Sequence, residues 1–323
     1  MAAGGGRSGG AGVVNPRRPL PRQRGVALLV ALLVVALATV LIAGLVDRGA
    51  LGFARTRNGL LEAQAQAYAQ GLEAYAARVL QQDWANSGGA ADSNASPWAV
   101  PLPPTPVPNG LIAATMSDRN GCFNLNNLVD RNGLPNAPWP DKFRRLLGAL
   151  RLDPALADAV AGWMNSQPGI EDPYYLAQPV PYRQAKRTFI HVSELRLVKG
   201  VDADVYGALL PHVCALPSGT KININTATVP VLMTLNGLDT AEAAQGIAQE
   251  GKANYKSLTD IAGQVRGIQA ESRYYGVNSS YFLARGDITL DGQPFTFYSL
   301  IERRLGAGAD GGIRVIARSR GSD

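Results

Sequence analysis

The feature that most constrains this chain is an unbroken apolar run near its N-terminus, from Val26 to Val46, with Asp47 as the first charge after it. The length of the run matches the hydrocarbon core of a bilayer crossed by a single helix. Because backbone polar groups cannot remain unpaired in hydrocarbon, a helix is the only conformation that we expect for a crossing segment. The run therefore predicts one transmembrane helix over residues 26–46.

Three interpretations of this run differ in where the chain is cut. A secretory signal peptide would have a shorter apolar core with a small-residue cleavage site behind it, and the alanines at 36–43 keep that interpretation open. An uncut signal anchor is the second interpretation. The third is cleavage between Gly25 and Val26, which we favour because the Arg-Gln-Arg-Gly-Val junction resembles the leader-peptidase site of type IV prepilins and type II secretion pseudopilins.

The excess of positive charge lies before the apolar run. The chain has a formal net charge of +6, but residues 1–25 hold five arginines and no acidic residue, so the remainder is nearly neutral. Arginines before a first span hold that end in the cytoplasm, so we expect a single-pass inner-membrane protein with its bulk in the periplasm. A nearly neutral body does not predict a nucleic-acid partner.

Beyond the membrane segment, residues 47–85 have apolar positions at helical spacing and are expected to continue the helix. Residues 86–108 are rich in proline and glycine, which predicts an irregular linker. A short strand is expected at Leu111–Met116. The C-terminal part predicts three more strands separated by glycine turns, at Tyr281–Leu290, Phe295–Arg303 and Ile313–Arg318.

An internal repeat lies between these strands. The segment 194–210 aligns without gaps on 231–247, and two short helices joined by a glycine turn account for the shared spacing. The second copy with its ININTA lead-in resembles the helix-hairpin-helix of DNA-binding proteins. In those proteins a second glycine lets backbone amides approach a phosphate, but Asp202 and Asp239 occupy that place here and would repel it. A membrane-anchored helix-hairpin-helix protein that binds or takes up DNA is therefore the alternative function, and not the favoured one.

Four acidic residues lie in predicted loops, namely Glu171, Asp172, Asp202 and Asp204. Calcium takes six to eight oxygen ligands from such irregular backbone, so these loops could hold it if they meet in the fold. The alternative is that Asp202 caps the next helix while Glu171 and Asp172 are solvated. No organic cofactor is expected.

Cys122 and Cys214 are the two cysteines of the chain. In an oxidising periplasm they would form a disulfide that closes a loop of about 90 residues. The alternative is a pair of buried free thiols. The sequence shows no nucleophile–histidine or paired-carboxylate arrangement on a supporting motif, so we do not expect an enzyme.

Blocks along nearly the whole chain resemble the type II secretion system protein K family. The blocks are RQRGVALLVALLVVALATVL, CFNLNNLVD, GIEDPYYLAQPVPYRQAKRTFIHVSELRLVKGVD, VCALP and ININTA. The resemblance implies an α+β fold in which a long N-terminal helix belongs to a pilin-like domain of residues 109–120 and 280–320. It also implies a large inserted all-α domain of the helix-hairpin-helix or SAM-like type, over residues 121–279.

The resemblance further implies a minor pseudopilin that caps the tip of the periplasmic pseudopilus. Its partners would be pseudopilins I and J, through them pseudopilin H and the major pseudopilin, and also the prepilin peptidase and inner-membrane lipid. The Val26 amine would be methylated after cleavage, and calcium would bind near Glu171, Asp172, Asp202 and Asp204. Ordinary pilins carry a glutamate where this chain has Val30, and an apolar residue there suits a subunit with no neighbour above it.

Overall fold

The computed structural model describes Gly9 and residues 24–167, 172–304 and 312–321. The chain divides into two compact units, Met1–Leu60 and Leu61–Asp323. One helix, α1 (Arg24–Ser87), runs through the first unit and into the second. It covers both the predicted transmembrane segment and its predicted continuation. Five arginines precede Gly25, and four of them lie outside the described residues.

The remaining helices are short and belong to the second unit. They are α2 (Trp139–Ala149), α3 (Leu156–Met164), α4 (Pro173–Leu176), α5 (Ala203–Leu209), α6 (Val229–Leu232) and α7 (Ala241–Ala248). Single 3₁₀ turns occur at Pro97–Ala99, Leu125–Leu128, Val192–Leu197, Gln249–Gly251, Leu258–Ile261 and Ile268–Arg273.

An antiparallel sheet of five strands has the order β1-β2-β7-β8-β9. Its strands are β1 (Leu102–Val107), β2 (Gly110–Asp118), β7 (Tyr281–Leu290), β8 (Gln293–Arg303) and β9 (Ile313–Arg320). The strands expected from the sequence at 111–116, 281–290, 295–303 and 313–318 are all present in this sheet. Alternate residues of β7 and β8 face the second half of α1, where the buried side chains form two apolar clusters. These contain Leu61, Ala65, Ala69, Leu72, Ile288, Leu290 and Phe295, and Ala76, Leu80, Trp98, Phe282 and Ile301.

The prediction of an irregular linker over 86–108 is wrong for part of the segment. Residues Leu102–Val107 form β1, and Trp98 is buried with 2% of its surface exposed. Proline excludes a central strand, because it cannot donate to a neighbouring strand on either side, but it is tolerated at an edge. Among the strands that the structure describes, β1 lies at one edge and pairs with β2 alone, so three prolines fit within it.

Residues 121–279 fold mainly into short helices around a common core. Phe123 stacks on Phe143 with ring centroids 5.2 Å apart, and Trp139 meets Phe123 edge to face. The expectation of an all-α insertion is incomplete, because two parallel ladders also occur, β3 (Phe123–Asn124) with β4 (Val213–Cys214) and β5 (Ile222–Asn223) with β6 (Tyr275–Gly276). Each strand has two residues, which is too short for the alternation of apolar and polar side chains to be visible in the sequence.

The internal repeat folds as expected into two related units. A 3₁₀ turn at Val192–Leu197 precedes α5, and α6 precedes α7. Gly200 and Gly237 stand at the matching turns with φ of 82° and 79°. Only glycine adopts this left-handed conformation without strain, which explains why both copies carry it at the same offset.

Buried asparagines join the loops of the inserted segment to one another. The Asn124 amide donates to the carbonyls of Leu216 and Pro217 and accepts from the N–H of Leu216. Asn126 exchanges a pair of hydrogen bonds with the backbone of Phe189, at 2.9 and 2.8 Å. A side-chain amide can satisfy a backbone N–H and C=O together, so these residues replace the ladder that a regular strand would provide.

A buried arginine joins the end of β8 to α1 and to the segment that follows α1. Arg303 donates to Asp83 at 3.3 Å, to Asp92 at 2.5 Å and to the carbonyl of Ser279 at 3.0 Å, and its side chain is 3% exposed. Burial and the nearby Asp92 carboxylate raise the pKa of Asp83, although Arg303 opposes this. Removal of the guanidinium would leave two carboxylates buried without a counter-charge.

We expect Arg303→Met to lower the free energy of unfolding by about 3–5 kcal/mol, because the desolvation of Asp83 and Asp92 would no longer be compensated. The measurement is urea unfolding of the full-length protein, followed by tryptophan fluorescence. Arg304→Met is the matched control. Its side chain is 55% exposed and pairs with Glu302 at 3.2 Å, so the expected loss is about 0–1 kcal/mol. Equal losses in the two variants would contradict this account of Arg303.

Candidate functional site

The first candidate site is the apolar surface of α1 in the first unit. Side chains from Val26 to Val46 are exposed, with Val30 at 53%, and the most apolar stretch of the helix has a mean hydropathy of 3.1. Among the described residues, this is the one helix long and apolar enough to cross a membrane. Thr39 donates its hydroxyl to the carbonyls of Val35 and Ala36, at 2.9 and 2.8 Å, so the polar side chain in the run is satisfied within the helix.

The expected cleavage site lies at the first turn of this helix. Because α1 begins at Arg24, Gly25 and Val26 are helical, and a Cβ on Gly25 would meet no atom within 4 Å. Small residues then recur along the apolar run and leave room for a neighbouring helix to approach closely. They are Ala27, Ala31, Ala36, Ala38, Ala43 and Gly44.

Two of the acidic residues considered for calcium, Asp172 and Asp202, serve as helix caps. Asp202 accepts a hydrogen bond from the N–H of Val205 at 2.8 Å and caps α5. Asp172 accepts from the N–H of Tyr174 at 2.9 Å, caps α4 and lies 3.3 Å from the ammonium of Lys199. The backbone hydrogen bond and then Lys199 lower the pKa of Asp172. Asp204 is exposed in the first turn of α5, and Glu171 lies outside the described residues.

These contacts bear on the expected calcium site. Within residues 24–167, 172–304 and 312–321, no three histidine, cysteine or acidic side chains form a group that could hold a metal ion. Asp172 already has an ammonium partner, and one oxygen of Asp202 is engaged by its own helix. The carboxylates of Asp172 and Asp202 therefore suit helix capping, and Glu171 lies outside the described residues. Calcium binding stays a prediction.

Hydrogen bonds from Arg145 stabilise the turn that resembles a phosphate-binding hairpin. Arg145 donates to the carbonyls of Leu235 and Leu238, at 2.9 and 3.0 Å, and pairs with Asp239 at 3.0 Å. The Asp239 side chain remains 77% exposed at the position where a phosphate would approach. An exposed carboxylate repels a phosphate, so the geometry gives no support to the DNA-binding alternative.

Cys122 and Cys214 lie together as a disulfide with Cα atoms 5.8 Å apart. Leu216 and Tyr281 pack around the pair, with Leu300 and Ile316 beside them, so the disulfide lies where the inserted segment meets the sheet. This places the covalent link between segments that are 92 residues apart in sequence.

Sequence reasoning missed the residues that join the inserted segment to the sheet. Asn223 donates to the Asp92 carbonyl, to the Asp118 carboxylate and to the Ser279 hydroxyl, at 3.1, 3.0 and 2.8 Å. Burial raises the pKa of Asp118, although hydrogen bonds from Ser279 and Thr226 oppose the shift. The available signal was the run of asparagines within otherwise apolar blocks, since buried amides need partners.

Comparison with known proteins agrees with this architecture. A family model described as type II secretion system (T2SS), protein K, matches residues 121–218. A type II secretion system protein K from Pseudomonas aeruginosa is 35% identical over 319 residues and covers 93% of each chain. Another from Pectobacterium carotovorum subsp. carotovorum is 35% identical over 306 residues, covering 87% of this chain and 92% of the relative. The chain belongs to the type II secretion system protein K family.

A solved structure supports the same conclusion for the fold. It is the crystal structure of the GspK-GspI-GspJ complex of the type 2 secretion system from enterotoxigenic Escherichia coli. The match has a TM-score of 0.72 at 27% identity and covers 83% of this chain and all of the neighbour's chain. The family is a structural pseudopilin component of the secretion system.

We expect reduction of the Cys122–Cys214 disulfide to lower the free energy of unfolding by roughly 3–5 kcal/mol, because the closed loop restricts the unfolded chain. Urea unfolding with and without dithiothreitol measures the change. The Cys122→Ser, Cys214→Ser double variant should show no response to the reductant. Alkylation of both cysteines in unfolded, unreduced protein would refute the disulfide.

Asp202→Asn separates capping from calcium binding. Asparagine caps a helix as well as aspartate does, so without calcium we expect a change in stability below about 0.5 kcal/mol. If the expected calcium site is present, calcium should raise the melting temperature of the wild type, and the chelator EDTA should reverse the rise. The rise should be smaller in Asp202→Asn and in Glu171→Ala. An identical melting temperature with calcium and with EDTA in the wild type would end the calcium hypothesis.

Proposed function

We propose that this protein is a minor pseudopilin that caps the tip of the periplasmic pseudopilus together with pseudopilins I and J. The supporting observation is the match over the whole length of the corresponding chain in a complex of those three components. Through I and J the protein would connect to pseudopilin H and the major pseudopilin. In this position it supports export of proteins across the outer membrane.

The apolar surface of α1 provides the attachment to the assembly. In the inner membrane, residues 26–46 lie in hydrocarbon, where helices associate through close packing of small residues and not through the hydrophobic effect. The alanines of the run and Gly44 permit that approach, and the exposed apolar side chains meet lipid or neighbouring helices. The arginines of residues 1–25 hold the N-terminus in the cytoplasm, which leaves the second unit in the periplasm.

Val30 agrees with a position at the end of the filament. In ordinary pilins an ionised glutamate at this place is costly in hydrocarbon unless it meets a counter-charge, such as the N-terminal amine of a neighbour. A subunit at the tip has no subunit above it to supply that amine. An apolar side chain removes the cost, and the bulky segment 121–279 limits further addition of subunits.

Processing at Gly25 makes the helix competent for assembly. Prepilin peptidase removes residues 1–25, and the new Val26 amine is methylated. The charged leader then no longer anchors the end of the helix in the cytoplasm, so the helix moves with its neighbours. The resemblance of the Arg-Gln-Arg-Gly-Val junction to known leader sites supports this step.

We expect N-terminal sequencing of the membrane-extracted protein to begin at Val26. Gly25→Val should retain the leader, remain in the membrane and fail to co-purify with pseudopilins I and J of its own system. Gly44→Val is the matched control for cleavage, because an added Cβ meets no atom within 4 Å at either glycine. This control should be cleaved normally. An intact initiator end in the wild type, or a first residue beyond Val46, would refute the proposal.

A further inference from the structure

The two edges of the five-stranded sheet differ in their capacity to accept another strand. Pro103, Pro104 and Pro106 lie in β1, where the missing N–H groups obstruct pairing with a further strand. At the opposite edge, β9 contains no proline and pairs only with β8 among the strands that the structure describes. Residues 317–320 of β9 are exposed. An exposed edge without proline is a template for an extended segment of another chain.

The register shows which backbone groups of β9 face outward. The N–H of Gly321 donates to the carbonyl of Thr296 at 3.0 Å, and Arg320 is opposite Phe297. In an antiparallel pair the residues alternate between groups that face the neighbouring strand and groups that face away. The backbone N–H and C=O of Arg318 and Arg320 therefore point away from β8, toward the place of an added strand.

Grooves lie on both faces of the sheet beside this edge, and Arg318 and Ser319 line both of them. The groove away from α1 has a volume of about 220 Å³ and is mainly apolar, with Ile190, Leu210, Leu216, Leu283, Leu300 and Ala317 in its lining. The groove on the α1 face has a volume of about 300 Å³, and most of its lining residues are polar, including Glu62, Gln66, Gln70, Glu73, Arg318 and Arg320. Since successive side chains of a strand alternate in direction, an added strand would place every second residue in each groove.

The charges at the edge specify the residues on the α1 side of such a strand. Arg318 pairs with Glu73, and Arg320 pairs with Glu62, yet 63% and 49% of the two arginine side chains remain exposed. A residue opposite either arginine would share its face of the sheet, where an acidic side chain is favoured by the guanidinium. On the other face an apolar side chain is favoured, because Ile190 is 75% and Leu210 46% exposed there.

A second copy of this chain does not meet these requirements. The strand β9 carries Arg314, Arg318 and Arg320 and no acidic residue. Antiparallel pairing of two copies about Ser319 would place Arg318 of each copy opposite Arg320 of the other. Like charges directly opposite each other destabilise a strand pair. A segment of a different chain that carries acidic residues fits this edge better than a second copy of β9 does.

We propose that β9 receives an extended segment of a partner protein as a sixth strand, and that this segment alternates acidic residues on the α1 face with apolar residues in the groove beside Ile190. Strand addition depends on the sheet and the two grooves alone. If strand addition were refuted, the pseudopilus proposal would be unaffected. If the pseudopilus proposal were refuted, strand addition would be unaffected.

The test uses the full-length protein in lipid nanodiscs and a fluorescein-labelled peptide of four Glu-Val repeats, with binding measured by fluorescence anisotropy against empty nanodiscs. A peptide of the same composition, with its glutamates and valines in two blocks, controls for charge and apolarity without alternation. We expect the alternating peptide to bind and the block peptide to bind roughly tenfold more weakly or not at all.

Two pairs of variants then locate the peptide. Ile190→Asp should weaken binding roughly tenfold, whereas Val180→Asp, which changes a residue that is 79% exposed and outside the groove lining, should not alter it. Arg320→Pro removes an outward N–H and should bind more weakly than Arg320→Ala, which keeps that N–H but also lacks the guanidinium. Strand addition is refuted if the wild type does not bind the alternating peptide, if both peptides bind equally, or if the members of either variant pair are indistinguishable.

Discussion

The packing of the second unit depends on the buried Asp92, whose carboxylate, backbone carbonyl and backbone N–H all make hydrogen bonds. The Asp92 carboxylate accepts from Arg303, from the indole N–H of Trp98 and from the N–H of Ser279. Its carbonyl accepts from Asn223 and from Asn225, and its N–H donates to Val277. A charge buried to this degree is stable only when it is paired with an opposite charge and hydrogen-bonded. Asp92 therefore connects the segment after α1 to the end of β8 and to the inserted helices.

The insertion does not disturb the sheet, because the chain leaves the sheet at the end of one strand and re-enters it at the start of the adjacent strand. It follows β2 and precedes β7, which are adjacent in the sheet, and Asp118 at the end of β2 is opposite Phe282 near the start of β7. The intervening chain can therefore vary in size without altering the ladder. The contacts at this junction, which include the Cys122–Cys214 link and the amide of Asn120 on the N–H groups of Ser280 and Tyr281, fix the orientation of the insertion.

The sequence was sufficient for elements whose period extends over many residues. The apolar run and the later helical spacing of apolar residues predicted α1, and strand-like runs separated by glycine turns predicted β7, β8 and β9, with β2 expected as a short strand. Prediction failed where the conformation depends on position in the fold. The prolines of β1 are acceptable because β1 lies at an edge of the sheet within the described part of the chain, and the two-residue ladders of Phe123 and Ile222 exist only because distant segments meet. The acidic residues were similarly ambiguous, since a loop aspartate has the same appearance whether it caps a helix, as Asp202 does, or binds a metal.

The sequence motifs that relate this chain to its family therefore serve mainly to stabilise the fold. In CFNLNNLVD the asparagines satisfy distant backbone, and in ININTA both asparagines reach Asp92. Substitution of either kind of amide would leave buried donors and acceptors without partners, which costs more than the hydrogen bond itself contributes. A pseudopilin that carries a bulky segment on its sheet requires rigidity at that junction. In such a protein the residues that specify assembly are expected on exposed surfaces, such as the apolar side of α1 and the edge strand β9, and the most recognisable blocks of sequence lie inside.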